Sequence, residues 1–143
     1  MNPNLKFLVV DDLQSMRWII IKRLKEVGFT RFEEANDGDV ALQKLKKAVE
    51  DKNSFEFVIS DWNMPNMKGI ELLKEIRSDK ALKELPFMMV TAEAEQAQMN
   101  EAMEAGADAY AFKPFTPEEL KEKLIAVLEK RKNPKTNAAA NNF

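Results

Sequence analysis

The sequence contains neither cysteine nor histidine, and these two absences exclude much of the chemistry that proteins use in catalysis. Without cysteine the chain can form no disulfide, no thiolate nucleophile and no cysteine-ligated zinc site. Without histidine it lacks the commonest general base and the commonest metal ligand. Any reaction at this protein must therefore depend on carboxylates, amides, hydroxyls and lysines.

Long apolar runs and a strong excess of one charge are also missing. No segment approaches the roughly 20 apolar residues that span a bilayer, and the start, MNPNLKFLVVDD, lacks the basic and apolar stretches of a signal peptide. A formal net charge of −2 gives no reason to expect nucleic acid or an anionic membrane as a partner. We therefore expect a cytoplasmic protein that binds neither, with one domain in its 143 residues.

Short apolar segments alternate with segments of helical periodicity along the chain. Gly28 and Gly106 follow two of the predicted helices, and Thr116-Pro117 is typical of a helix start. This alternation predicts an α/β fold, a parallel sheet with helices on both faces and right-handed crossovers. The domain is predicted over residues 1–132, and residues 133–143 (NPKTNAAANNF) are predicted to be a flexible tail. The predicted strands lie near residues 5–10, 32–35, 55–60, 86–91 and 109–112.

Reactive side chains stand where four of these strands end. Asp11 and Asp12 follow the first strand, Asp61 the third, Thr91 the fourth and Lys113 the fifth. Ligands of such sheets bind outside the carboxyl ends of the strands, where the strand order reverses. If the order is 2-1-3-4-5, three carboxylates, a hydroxyl and an ammonium share one crevice.

Carboxylates this close together require a counter-charge. Two of them about 4 Å apart repel by roughly 4 kcal/mol at an effective dielectric of 20. An all-oxygen site with room for water suits Mg²⁺, and a carboxylate beside Mg²⁺ and a lysine can accept a phosphoryl group. Asp61 is the best nucleophile candidate because it ends the central strand. Alone, Asp12 or Asp37 is most simply interpreted as a loop residue or a helix N-cap.

Five motifs then place the chain beside a known family. FLVVDD, DGDVALQKL, VISDWNMPNMKG, MVTAEA and KPFTPEEL occur in this order across about residues 5 to 130. The set resembles the receiver domain of bacterial two-component response regulators, and more specifically the stand-alone chemotaxis regulators. The resemblance implies the flavodoxin-like receiver fold, a five-stranded parallel sheet of order 2-1-3-4-5 with five helices. The strand order is thus an implication of the resemblance, and the residues alone leave it open.

The resemblance also implies a metal and phosphoryl site. Asp61 matches the phosphoacceptor. Asp12, Asp61 and the backbone carbonyl of Asn63 match the Mg²⁺ ligands, and Asp11 matches an acid that acts through water.

Further roles follow from the same resemblance. Thr91 and Lys113 match the hydroxyl and the lysine that contact the phosphoryl group, and the Lys113–Pro114 bond is expected to be cis. Tyr110 matches the aromatic residue that turns inward when Thr91 moves to the phosphate. Asn63 and Glu93 match the positions that tune dephosphorylation.

The implied function is signalling rather than enzymatic turnover of a substrate. The protein would assist its own phosphorylation and dephosphorylation, with a histidine kinase as donor and small acyl phosphates as substitutes. No second domain follows the motifs, so we expect the output to be a protein contact rather than DNA binding. The implied partner is the flagellar motor switch in chemotaxis, and a phosphatase is a further expected partner.

Departures from the chemotaxis pattern leave alternatives open. Glu95-Gln96 replaces lysines that usually begin the fourth helix, and Ala111-Phe112 replaces two small β-branched residues. Trp18 stands where arginine is common and Lys68 where aspartate is common. A diverged paralogue that drains phosphate or binds another partner is therefore the alternative. An aspartyl-nucleophile phosphatase would need an acid at Asn63, and Asp11-Asp12 would repel the phosphate of a flavin.

Overall fold

The chain folds into a five-stranded sheet flanked by five helices. The structure, a computed structural model, describes residues 2–92 and 95–132. Glu93 and the predicted tail, residues 133–143, lie outside the described residues. The strands are β1 (Lys6–Val10), β2 (Arg31–Ala35), β3 (Phe57–Asp61), β4 (Phe87–Thr91) and β5 (Ala109–Phe112). The helices are α1 (Gln14–Val27), α2 (Gly38–Glu50), α3 (Gly69–Ser78), α4 (Gln96–Glu104) and α5 (Pro117–Lys132).

All neighbouring strands pair in parallel, in the order β2-β1-β3-β4-β5. The predicted fold class and strand order are therefore confirmed. The order reverses between β1 and β3, where Val10 lies opposite Ser60. This register brings the residues that follow Val10 next to the end of β3, and so places the two predicted acidic segments side by side.

The sheet separates two apolar layers because alternate side chains of each strand point to opposite faces. Helices α2, α3 and α4 cover one face, whose core includes Leu8, Val58 and Met89. Helices α1 and α5 cover the other, whose core includes Phe7, Ile59 and Val90. The prediction of helices on both faces is confirmed. Within residues 2–92 and 95–132, every helix falls short of the length and hydropathy needed to cross a bilayer.

Helix caps test three of the interpretations made from the sequence. The Asp37 side chain accepts a hydrogen bond from the Val40 N–H at 2.9 Å, which confirms it as the N-cap of α2. Thr116 Oγ1 accepts the Glu119 N–H at 3.1 Å at the start of α5, as its motif predicted. Leu13, and not Asp12, occupies the N-cap position of α1. Asp12 therefore has no helix-capping role and is exposed beside the end of β1.

Candidate functional site

Three carboxylates meet at the carboxyl edge of the sheet. Asp11 and Asp12 follow β1, and Asp61 is the last residue of the neighbouring strand β3. Each contributes a carboxylate oxygen, and these oxygens all lie within 4.8 Å of one another. Asp11 is fully buried and Asp61 is 8% exposed, whereas Asp12 is exposed. The structure thus brings together the three acids that the sequence predicted would converge.

The Lys113 ammonium lies among these acids. Its Nζ is 2.7 Å from Asp11 Oδ2 and 3.3 Å from Asp61 Oδ1. Lys113 follows the edge strand β5, so its side chain extends across the end of β4 to reach Asp61. The backbone sets its position, since the Lys113 N–H donates to the Thr91 carbonyl at 2.7 Å. The expected cis Lys113–Pro114 bond is present.

The electrostatics of the site favour a bound cation. Burial raises the pKa of Asp61, the Lys113 charge lowers it, and the neighbouring Asp11 raises it further. Three carboxylates and one ammonium leave two formal negative charges at the cluster. Oxygen ligands with this charge fit a hard divalent cation. The acids can therefore hold a metal ion of the Mg²⁺ or Ca²⁺ class.

The loop after Asp61 is held tightly against the strand that it leaves. The Gly69 N–H donates to the Trp62 carbonyl at 2.9 Å, and a Cβ at Gly69 would collide with the Asp61 carbonyl oxygen. Only glycine allows this close approach. Trp62 is 5% exposed and packs in the core between the sheet and helices α2, α3 and α4, directly after Asp61 in the chain.

The remaining predicted residues surround the cluster. Thr91 is 1% exposed and ends β4, the strand next to β3. Asn63 is exposed in the loop that follows Asp61. Tyr110 is buried in β5, with its ring 5.4 Å from that of Phe112 in an edge-to-face arrangement. These positions are compatible with the predicted roles in ligation, phosphoryl contact and switching, which stay predictions.

The sequence analysis missed two supporting residues, Arg17 and Asn66. Arg17 Nη1 donates to the Asp11 carbonyl at 2.7 Å, and its Nε donates to Glu34 Oε1 at 2.9 Å. Asn66 Nδ2 donates to Asp37 Oδ2 at 2.8 Å. The NMPN turn was a usable signal for Asn66, whose φ of 65° suits asparagine. Nothing in the periodicity of α1 links Arg17 to a glutamate on β2.

Comparison with known proteins gives consistent matches. The profile of the response regulator receiver domain matches residues 7–125. Chemotaxis protein CheY-3 of Vibrio cholerae is 49% identical over 130 residues, which cover 91% of this chain and 96% of that protein. Chemotaxis protein CheY of Pseudomonas aeruginosa is 47% identical over 126 residues, which cover 88% of this chain and 98% of that protein. The structure of chemotaxis response regulator CheY4 of V. cholerae superposes with a TM-score of 0.75 at 37% identity. The match covers 87% of this chain and 98% of that one.

Proposed function

Because the chain belongs to the response regulator receiver domain family, we propose that it is a chemotaxis switch phosphorylated on Asp61 by a histidine kinase in a Mg²⁺-dependent reaction. One observation carries this proposal: the Asp61 carboxylate shares a cluster with the two acids that follow β1, and it lies 3.3 Å from the Lys113 ammonium. A structural carboxylate would gain nothing from two acidic neighbours, whereas a phosphoacceptor needs a cation on either side of the incoming phosphoryl group.

This arrangement supports direct transfer of a phosphoryl group to Asp61. An Asp61 carboxylate oxygen attacks phosphorus, and the bond from phosphorus to the donor nitrogen breaks as a new acyl phosphate forms. The donor nitrogen keeps the electron pair of the broken bond. Bound Mg²⁺ would offset the charge of the phosphoryl oxygens and of the acids. Return to the starting state requires water to attack phosphorus, which releases inorganic phosphate and restores the carboxylate.

The other residues of the site position the reacting groups and neutralise their charge. Asp12 and Asp61 would hold the cation directly, Asp11 would act through water, and the exposed Asn63 would offer its backbone carbonyl. Lys113 is already within reach of Asp61, so it can pair with a phosphoryl oxygen after a small movement away from Asp11. The Thr91 hydroxyl donates a hydrogen bond to a second phosphoryl oxygen.

The signal leaves through the surface formed by α4, β5 and α5. Thr91 moves toward the phosphoryl group, and the Tyr110 ring occupies the space that it leaves, which shifts the population between two packings. Met103 and Phe112 are 43% and 40% exposed on α4 and β5, so this surface presents apolar groups to a protein partner. The flagellar motor switch is the partner proposed for this surface.

A second candidate, a phosphate sink or a regulator of another partner, is favoured by one feature of this surface. Glu95 and Gln96 are exposed at the start of α4, where the family resemblance leads us to expect lysines. An acidic start to α4 would repel an acidic partner segment. Binding of a motor-switch peptide, measured with and without beryllofluoride, distinguishes the two: tightening by beryllofluoride supports the motor role, and unchanged weak binding supports the second candidate.

The phosphoryl site itself is tested by labelling with a small acyl phosphate. The native protein should incorporate one phosphoryl group in Mg²⁺ and none in excess chelator. Asp61→Asn should remain unlabelled, while Asp79→Asn, at the far end of α3, serves as the matched control and should label normally. Label retained by the Asp61 variant would overturn the assignment.

A further inference from the structure

The loop between β3 and α3 is fastened to the start of α2 by a single aspartate. Asp37 uses its two carboxylate oxygens separately: Oδ1 accepts the Val40 N–H at 2.9 Å, and Oδ2 accepts Asn66 Nδ2 at 2.8 Å. The Asp37 residue is 7% exposed. A charged acceptor makes these bonds stronger than those between neutral groups. One side chain thus holds both a helix terminus and a loop 29 positions away.

Backbone contacts beside this bond make the attachment rigid. The Gly38 N–H donates to the Met67 carbonyl at 3.2 Å, and a Cβ at Gly38 would lie 2.7 Å from atoms of Met67. Asn66 adopts a left-handed backbone conformation with φ of 65°. The loop therefore follows one defined path against the α2 terminus.

We propose that Asp37 and Asn66 are positioning residues for the metal site, because they fix the loop that presents the Asn63 carbonyl. This inference rests on the proposed function, in which that carbonyl is a Mg²⁺ ligand. Asn63 is three residues from Asn66, and the segment between them contains Pro65, which limits how the chain can move. With the Asp37–Asn66 bond intact, the carbonyl is held in place before the cation arrives, so binding does not have to order the loop.

The alternative is that Asp37 serves α2 alone, and two variants separate the roles. In Asp37→Ser the hydroxyl can still cap α2, since serine is as good an N-cap as aspartate, but it is too short to reach Asn66. In Asn66→Gly the left-handed backbone is kept, because glycine adopts it readily, and only the side-chain bond is lost. The matched control is Asp79→Ala, because Asp79 Oδ1 accepts the Ala81 N–H at 2.8 Å where α3 ends, at the amino edge of the sheet.

The test is a Mg²⁺ titration of these variants in a Trp18→Phe background. Binding is monitored by Trp62 fluorescence and, independently, by the rise in Tm that Mg²⁺ causes. We expect about a fivefold weaker Mg²⁺ affinity in Asp37→Ser and in Asn66→Gly, the size of one lost hydrogen bond. The double variant should be no weaker than either single variant, because both remove the same bond. Asp79→Ala should bind Mg²⁺ like the parent even if its Tm falls.

The three ways in which this inference can fail are distinguishable. If the parent binds Mg²⁺ and both variants bind it equally well, the positioning role is wrong and the proposed function stands. If the loss of Mg²⁺ affinity in the double variant equals the sum of the two single losses, the shared hydrogen bond is not their cause and the inference is wrong. If the parent shows no Mg²⁺ response in either measurement, the metal site and the proposed function fail together with this inference.

Discussion

The Lys113 ammonium lies 2.7 Å from Asp11 Oδ2, although the two residues are 102 positions apart in the chain. Asp11 is fully buried, and its other oxygen accepts the Leu13 N–H at 3.0 Å. A buried carboxylate without a partner carries a large desolvation penalty. Before any cation binds, Lys113 therefore acts as the internal counter-charge of the acidic cluster.

Replacing Lys113 with methionine should expose this role. Without Mg²⁺, Lys113→Met should be less stable by about 3 kcal/mol, because Asp11 would stay buried and unpaired. Saturating Mg²⁺ should raise its Tm more than it raises that of the parent, because a competing positive charge has been removed. Lys113→Arg is the control that keeps the charge. Urea unfolding without Mg²⁺ measures the first effect and thermal unfolding with and without Mg²⁺ the second, and equal Mg²⁺ stabilisation in all three proteins would contradict this account.

Neutralising Asp61 should stabilise the metal-free fold. Burial raises the pKa of Asp61 above its unfolded value. The folded protein therefore loses stability as the pH rises from the unfolded pKa through the higher folded pKa. Above the folded pKa the native protein carries this penalty, and Asp61→Asn does not. We expect a higher Tm for Asp61→Asn at pH 7 in chelator, by the equivalent of about 1 kcal/mol, with the gain shrinking toward pH 4. A gain that stays constant across this range would have a cause other than ionisation.

Asp37 should show the opposite pH dependence. The Val40 N–H lowers the pKa of Asp37, and so does the Asn66 amide. Its contribution to stability is therefore present above the unfolded pKa and is lost as the pH falls through the lower folded value. Asp37→Ala should cost about 1 to 2 kcal/mol at pH 7, and the difference from the native protein should narrow in acid. Thermal unfolding from pH 7 to pH 3 measures this, and Thr116→Ala, an uncharged cap, should show no such narrowing.

The sheet and the acidic cluster were predictable because the signals are local. Each buried strand is a short apolar run, and the reactive residues directly follow those runs. The predicted bounds differ by one or two residues: β3 begins at Phe57 rather than at residue 55, and β2 begins at Arg31 rather than at residue 32. Strand ends depend on where the neighbouring strand stops pairing, which a single segment does not encode.

The supporting bonds were not predictable in the same way. Arg17 reaches Glu34 on β2, and Asn66 reaches Asp37, only after the loops have packed against other elements. Hydrophobic periodicity indicates which face of a helix is buried. It contains no information about which polar side chains of different elements come into contact. The family resemblance supplied the roles at the phosphoryl site, and the positioning contacts required the structure.

Asp108 joins four elements at the amino edge of the sheet, far from the acidic cluster. Its Oδ2 accepts the Phe87 N–H at 2.9 Å and Arg77 Nη2 at 3.1 Å. Arg131 of α5 donates to both of its oxygens at 2.9 Å. Burial lowers the pKa of Arg77, and the Asp108 charge opposes that shift, so this carboxylate stabilises the charge of a partly buried guanidinium. We therefore expect it to contribute to stability rather than to the metal site.

Removing this carboxylate should therefore separate stability from function. Asp108→Ala should lower the free energy of unfolding by about 3 kcal/mol, because it removes the ion-pair partner of the partly buried Arg77 and the acceptor of the Phe87 N–H. Asp108→Asn should cost less, since its amide oxygen can still accept the Phe87 N–H. Mg²⁺ affinity and acyl-phosphate labelling of both variants should match the native protein at 10 °C, where they remain folded. Loss of Mg²⁺ affinity in a folded Asp108 variant would show that the two edges of the sheet are coupled, contrary to this prediction.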